Sequence, residues 1–174
     1  MLLRTRFFSA SPVAVPTSLR ESGARVAVFK DDAFFPYHGS AEGLKRWVMA
    51  ERWSLMPRAT PTNIAEIGSN GKLTVLVVCT EVALFRARGA AEDLRKNEYL
   101  YSRYQFAWLD GPEVATNIVM GNMEPPNIMV FNYSTYEFYL SDDEPQKMTR
   151  ASIVTWLNQL ADAIEKNTAV AQGG

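Results

Sequence analysis

The stretch that most constrains this chain is residues 72–79, Lys-Leu-Thr-Val-Leu-Val-Val-Cys, which is almost continuously apolar and β-branched. A strand that is hydrophobic at consecutive positions has no solvent face, so it needs cover on both sides, as the central strand of a sheet between helices has. Asn70-Gly71 supplies a turn just before it. This strongest apolar run is strand-sized and far short of the roughly 18 residues of a membrane span. No bilayer crossing, and no membrane contact from this segment, is expected.

The rest of the chain is read outward from that strand. Residues 90–104 form an expected helix through Leu94, Tyr101 and Tyr104, followed by a short strand over 106–109. Asp110-Gly-Pro-Glu opens another helix, with Pro112 near its first turn, apolar Val114, Ile118 and Val119, and Gly121-Asn122 at its end. Residues 127–131 and 136–140 are β-rich runs around Asn132-Tyr-Ser-Thr, which suits a hairpin. Ile153, Val154, Trp156, Leu157, Leu160, Ala161 and Ile164 then share one helical face behind a candidate N-cap, Thr149. From about residue 60 the order is strand, short helix, strand, helix, strand, helix, strand, strand, helix. That alternation with a terminal hairpin predicts an α/β fold with a central mixed sheet flanked by helices.

The first 53 residues read as a second copy of the end of that pattern. Arg25-Val-Ala-Val-Phe corresponds to Asn127-Ile-Met-Val-Phe, Phe34-Phe35 to Phe138-Tyr139, and the helix bearing Leu44, Trp47 and Val48 to the one bearing Val154, Trp156 and Leu157. The length of 174 residues allows a domain and a half, with a junction at residues 53–61, where Pro57 and Pro61 punctuate the helical pattern. Ahead of this, the first ten residues carry two arginines, and no acid precedes Glu21. That composition is shared with organelle transit peptides, but a short strand over 6–9 is the preferred reading.

Charge and residue types narrow the chemistry. With 18 Lys+Arg against 19 Asp+Glu, scattered through the chain, nothing attracts a phosphate backbone, and nucleic acid is not an expected partner. One cysteine, Cys79, and one histidine, His38, cannot build a disulfide framework or a His/Cys zinc site, so no metal or other cofactor is implied. Dithiol chemistry needs two cysteines, and no Cys-x-x-Cys exists. Cys79 closes an apolar strand, where a thiol is better read as small hydrophobic filler than as a nucleophile. His38 is read as a surface residue. Asp31-Asp32 and Asp142-Asp143 occupy turns without metal-ligand spacing.

Three features remain. Pro125-Pro126 enters a strand, which suits either a cis X-Pro bond at a sheet edge or a plain trans turn. Asn132-Tyr-Ser is a glycosylation sequon, usable only in the secretory pathway. Val82, Leu84, Phe85, Met120 and Met123 fall at element ends around the sheet, where apolar and methionine side chains suit tolerant peptide recognition; core packing is the competing reading.

The order of elements, the proline before the penultimate strand and the closing helix with its tryptophan resemble a thioredoxin fold. More narrowly, the chain resembles the non-catalytic thioredoxin-like domains of the protein disulfide isomerase family. The resemblance rests on Phe7-Phe-Ser-Ala-Ser, Val26-Ala-Val-Phe-Lys-Asp, Ala50-Glu-Arg-Trp, Glu66-Ile-Gly with Gly71-Lys-Leu, Tyr104-Gln-Phe with Asp110-Gly, and Val170-Ala-Gln-Gly-Gly. It implies a complete redox-inactive thioredoxin-like domain over 55–174, preceded over 1–53 by the C-terminal half of another. It implies a parent protein with a catalytic domain upstream and a membrane span downstream. By the same resemblance, the location is the endoplasmic reticulum lumen, with an organelle-targeted or cytosolic short product as the runner-up. Pro126 matches the family's cis-proline, while Ala24, at the equivalent place in the half domain, departs from it. The loop Thr80-Glu-Val-Ala stands where a catalytic domain has its two cysteines. What remains is a groove between that loop and Pro126, expected to receive unfolded or partly folded polypeptide or a neighbouring catalytic thioredoxin domain. A plain spacer between catalytic domain and membrane anchor is the alternative.

Overall fold

The structure is a computed structural model, and it describes residues 6–173. The chain divides into two compact units, with the boundary between Ser54 and Leu55.

The first unit holds a short helix, α1 (Thr17–Glu21), a hairpin of β1 (Val26–Lys30) and β2 (Ala33–Tyr37), and α2 (Leu44–Glu51). The hairpin closes through Asp31 and Asp32, both left-handed at φ 47° and 58°, as a two-residue turn between right-twisted strands requires. One face of the hairpin carries Lys30 and Tyr37. Tyr37 stacks on Trp47 of α2 at 4.8 Å between ring centroids, and Lys30 pairs with Glu51 of α2 at 2.8 Å. Residues 6–9 form no strand, contrary to expectation: all four are exposed, with no partner strand to satisfy their backbone.

The second unit is built on a six-stranded sheet in the order β3-β5-β4-β6-β7-β8. Its elements are β3 (Arg58–Ala59), α3 (Ile64–Gly68), β4 (Leu73–Val78), α4 (Glu81–Arg95), α5 (Glu98–Arg103), β5 (Tyr104–Leu109), α6 (Glu113–Val119), β6 (Asn127–Asn132), β7 (Glu137–Leu140), α7 (Arg150–Glu165) and β8 (Gln172–Gly173). Strands β3, β5 and β4 run parallel, and β6, β7 and β8 add on antiparallel. A mixed sheet in this order, with helices in the crossovers and a closing hairpin and helix, is a thioredoxin-like arrangement.

The central strand is buried as its sequence demands, from Thr74 to Val78. Its odd-numbered residues, Val75 and Val77, join Tyr104, Phe106, Ile128 and Val130 in a core capped by Ala87, Ala90, Ala91 and Leu94 of α4 and Ile153, Leu157 and Leu160 of α7. Thr149 caps α7 through a reciprocal pair with Ser152. Tyr104 reaches through the core to donate its hydroxyl to the Leu157 carbonyl at 2.9 Å.

Two expectations change in this region. The helix expected at 90–104 is two helices, broken at Lys96–Asn97, where Asn97 accepts from the Leu100 amide and starts α5 afresh. The first of them also begins earlier, at Glu81. Residues 81–83 are therefore the first turn of α4, not a loop, and the Thr80 hydroxyl caps it by accepting from the Ala83 amide.

Candidate functional site

The candidate site forms where the end of β4, the start of α4 and the entry to β6 converge. The Pro125–Pro126 peptide bond is cis. It delivers the chain into β6, whose antiparallel register sets Asn127 beside Val78 and Ile128 beside Val77. Val82 and Ala83, on the first turn of α4, stand across from Pro126.

These residues frame a pocket of about 170 Å³. Its floor is apolar, from Val77, Ala87, Ile128 and Ile153. The rim is polar at Thr80, Asn127 and Gln146. For scale, a cavity of about 150 Å³ accommodates benzene, so this space suits one bulky aliphatic or aromatic side chain.

One wall comes from the segment between β7 and α7, through Pro145, Gln146 and Met148. Internal turns shape it: the Lys147 amide donates to the Glu144 carbonyl and the Met148 amide to the Pro145 carbonyl. Arg86 of α4 then ties the segment down, its Nη1 donating at 3.2 Å to both the Gln146 and Met148 carbonyls. A second tie lies two turns further along α4. Arg150, at the start of α7, forms a two-pronged pair with Asp93, at 2.5 Å for each contact. That pairing holds the Asp93 carboxyl down at about 2, chiefly through the hydrogen bonds from Arg150. Gly89 lets the arginine pass, since a Cβ there would lie 2.9 Å from Arg150 Cδ.

Of the residues proposed from sequence, the structure brings Val82 and Pro126 together at this pocket. Leu84 is half-buried away from it, and Phe85 and Met120, though 82% and 94% exposed, do not line it. Met123 is 2% exposed and belongs to the core, so it cannot offer a binding surface as expected. Asn132 sits at the β6–β7 hairpin, its side chain accepting from the Ser134 amide at 3.0 Å. Sequence reasoning missed Arg86, Gln146 and Met148; the two arms lie about sixty residues apart, and no local pattern links them.

Cys79 lies at the mouth of the α4 turn, half-buried, with its thiol donating to the Val77 carbonyl at 3.4 Å. Burial pushes the thiol up to about 11, and the Asp110 carboxylate adds to the rise. At neutral pH it is a protonated thiol, the wrong state for attack on a disulfide. The turn that follows, Thr80-Glu-Val-Ala, holds no second sulfur. Among the described residues no group of three or more His, Cys, Asp or Glu could hold a metal ion, and no helix is long and apolar enough to cross a membrane.

No family model matches the chain. Compared with individual proteins, it is 30% identical over 186 residues to protein disulfide-isomerase TMX3 of Xenopus laevis, covering 100% of this chain and 39% of that protein. The human protein disulfide-isomerase TMX3 is 28% identical over 183 residues, again covering 100% of this chain and 39% of the relative. Over its whole length the chain is similar to part of these protein disulfide isomerases. The chain thus spans about two-fifths of the length of the curated relatives it matches. Among solved structures, human ERp44 in its zinc-bound form superposes with a TM-score of 0.50 at 13% identity, over 79% of this chain and 40% of that one. That likeness concerns the fold. The second unit accordingly has a thioredoxin-like fold, and the chain carries a single cysteine and no Cys-x-x-Cys pair.

Proposed function

We propose that the thioredoxin-like unit is a redox-inactive binding module of a protein disulfide isomerase family member that assists oxidative folding in the endoplasmic reticulum lumen. Its ligand is a bulky apolar side chain of an unfolded polypeptide, or of a neighbouring catalytic thioredoxin domain, seated between Val82 and Pro126. The observation that carries this reading is the apolar pocket of about 170 Å³ beside the cis Pro125–Pro126 bond, at a helix start that lacks both cysteines of the chemistry. An apolar floor with a few polar groups at its rim is how small recognition sites are built. Residues 1–53 are, in the same proposal, the C-terminal half of a preceding thioredoxin-like domain. The matching order of hairpin and helix in β1-β2-α2 and β6-β7-α7 supports that. In the same proposal, dithiol chemistry belongs to a catalytic domain upstream in a longer parent protein, with a membrane anchor downstream.

The test is a titration of the isotope-labelled chain with an unfolded, leucine- and phenylalanine-containing model peptide, followed by NMR. The amides of Val82 and Ala83 and the methyls of Ile128 and Ile153 should shift together and saturably. A flat response at high peptide concentration would refute the binding role and leave a spacer.

A further inference from the structure

Arg86 fastens the wall of the pocket with one corner of its guanidinium, and the rest of that group is unpaired among the described residues. A guanidinium offers five N–H donors in one rigid plane. Nη1 donates to the Gln146 and Met148 carbonyls, which are neutral acceptors, so the positive charge is held in place without being neutralised. Nε and Nη2 are left over, and they form the side of the group that takes a carboxylate two-pronged. Among the described residues that line the pocket, Arg86 alone carries a charge. Every acid of α4 and of the segment between β7 and α7 is accounted for away from it. Glu92, Asp93 and Glu144 pair with Arg88, Arg150 and Lys147, while Glu81, Asp142 and Asp143 are exposed and line no part of the pocket.

We propose that Arg86 sets the selectivity of the pocket, which takes segments of unfolded polypeptide in which a bulky apolar residue has an aspartate or glutamate beside it. The inference rests on the peptide-binding reading of this pocket and adds the class of segment it accepts. An apolar side chain inserted onto the floor of Val77, Ile128 and Ile153 leaves its own backbone at the mouth. The residues on either side of it then lie over the rim, where a carboxylate accepts from Nε and Nη2 of Arg86. The guanidinium is half-buried beside an apolar floor, so water and salt screen this pairing less than they screen a fully exposed one. A neutral neighbour gains only an ordinary hydrogen bond, and a lysine there is repelled. An Arg86 that served solely as a clamp would be indifferent to the charge of the flanking residues.

The test uses the whole 174-residue chain and three labelled peptides with blocked ends. They are identical but for the residues flanking a central phenylalanine, which are aspartate, asparagine or lysine. Fluorescence anisotropy should rank them in that order, with the aspartate peptide roughly fivefold tighter than the asparagine one at low salt. The gap should close in about 0.5 M salt. In Arg86→Met the ranking should flatten, whatever the absolute affinity. The Arg86 Nε–H signal in the NMR spectrum of the wild type needs no variant: it should move with the aspartate peptide and stay in place with the asparagine one. Equal affinity of the wild type for these two peptides, an unmoved Nε–H signal, or a ranking kept in full by Arg86→Met would overturn the selectivity while leaving an apolar binding site. Absence of saturable binding by all three peptides would overturn the peptide-binding reading and the selectivity together.

Discussion

Replacing Arg86 with methionine keeps most of the aliphatic stem against α4 but removes the guanidinium that fastens the Pro145–Met148 wall of the pocket. The loss can be worked from two hydrogen bonds, both at 3.2 Å from Nη1, which is the long end of the range for a charged donor. A hydrogen bond to a charged group contributes about 1.5–3 kcal/mol when buried and less when water competes. The bond to the Gln146 carbonyl is exposed and is worth roughly 0.5 kcal/mol; the one to the Met148 carbonyl is part-buried and is worth roughly 1.5 kcal/mol. Arg86→Met should therefore lower unfolding free energy by about 2 kcal/mol. Arg86→Lys should recover only part of it, because the lysine stem is one atom shorter and its ammonium rotates freely, whereas the planar guanidinium holds the two Nη1 hydrogens in fixed directions. Urea denaturation gives the total. Amide exchange at Lys147 and Met148 locates it, since those amides are held by turns within the same segment. A stability change under roughly 0.5 kcal/mol with exchange at 147 and 148 unaltered would refute the idea that Arg86 shapes the pocket.

Further predictions follow from individual side chains. Native Cys79 should react with a thiol-alkylating reagent far more slowly than in the urea-unfolded chain at pH 8, with the native rate rising as pH approaches 11; equal rates would contradict a buried, protonated thiol. The Thr74 hydroxyl is buried in β4 with no hydrogen-bond partner among the described residues, so Thr74→Val should stabilise the domain by roughly 1 kcal/mol in urea denaturation, and a loss of stability would show a hidden partner. Asp93 has a lowered folded pKa, so its contribution is complete above its unfolded value of about 3.9 and is lost as pH falls toward about 2. Thermal melts of wild type and Asp93→Asn should accordingly differ at pH 5 and converge toward pH 2; parallel curves would be inconsistent with the Arg150 pairing.

The parts of this fold that the sequence makes legible are those where one physical demand dominates. β4 reads correctly because its five successive buried side chains, Thr74 to Val78, are all β-branched or aliphatic and leave no exposed position to suggest a solvent face. α7 reads correctly because Ile153, Leu157, Leu160 and Ala161 repeat at helical spacing behind a Thr149–Ser152 cap. The start of α4 is illegible for the opposite reason. Its buried face is Ala87, Gly89, Ala90 and Ala91, small residues with little hydrophobic contrast, while its large apolar side chains, Val82 and Phe85, point outward. Met123 misleads similarly, since a methionine in a loop carries no periodicity to say which way it faces. The pocket follows the same logic. Pro126 and Val82 are visible as a proline before a strand and a residue after one, but the Gln146–Met148 wall is fastened to the pocket by Arg86 from about sixty residues away in sequence.

In the proposed function, this domain binds through the space beside Pro126 and does no redox chemistry of its own. Ala83, half-buried on the first turn of α4, lines that space, so Ala83→Phe fills it from within without introducing charge. The most direct measurement is the fluorescence anisotropy of a labelled unfolded peptide titrated with wild type and with Ala83→Phe, both shown to be folded by circular dichroism. Saturable binding by wild type that Ala83→Phe weakens at least roughly tenfold is the predicted result; equal affinity in the two proteins would contradict it.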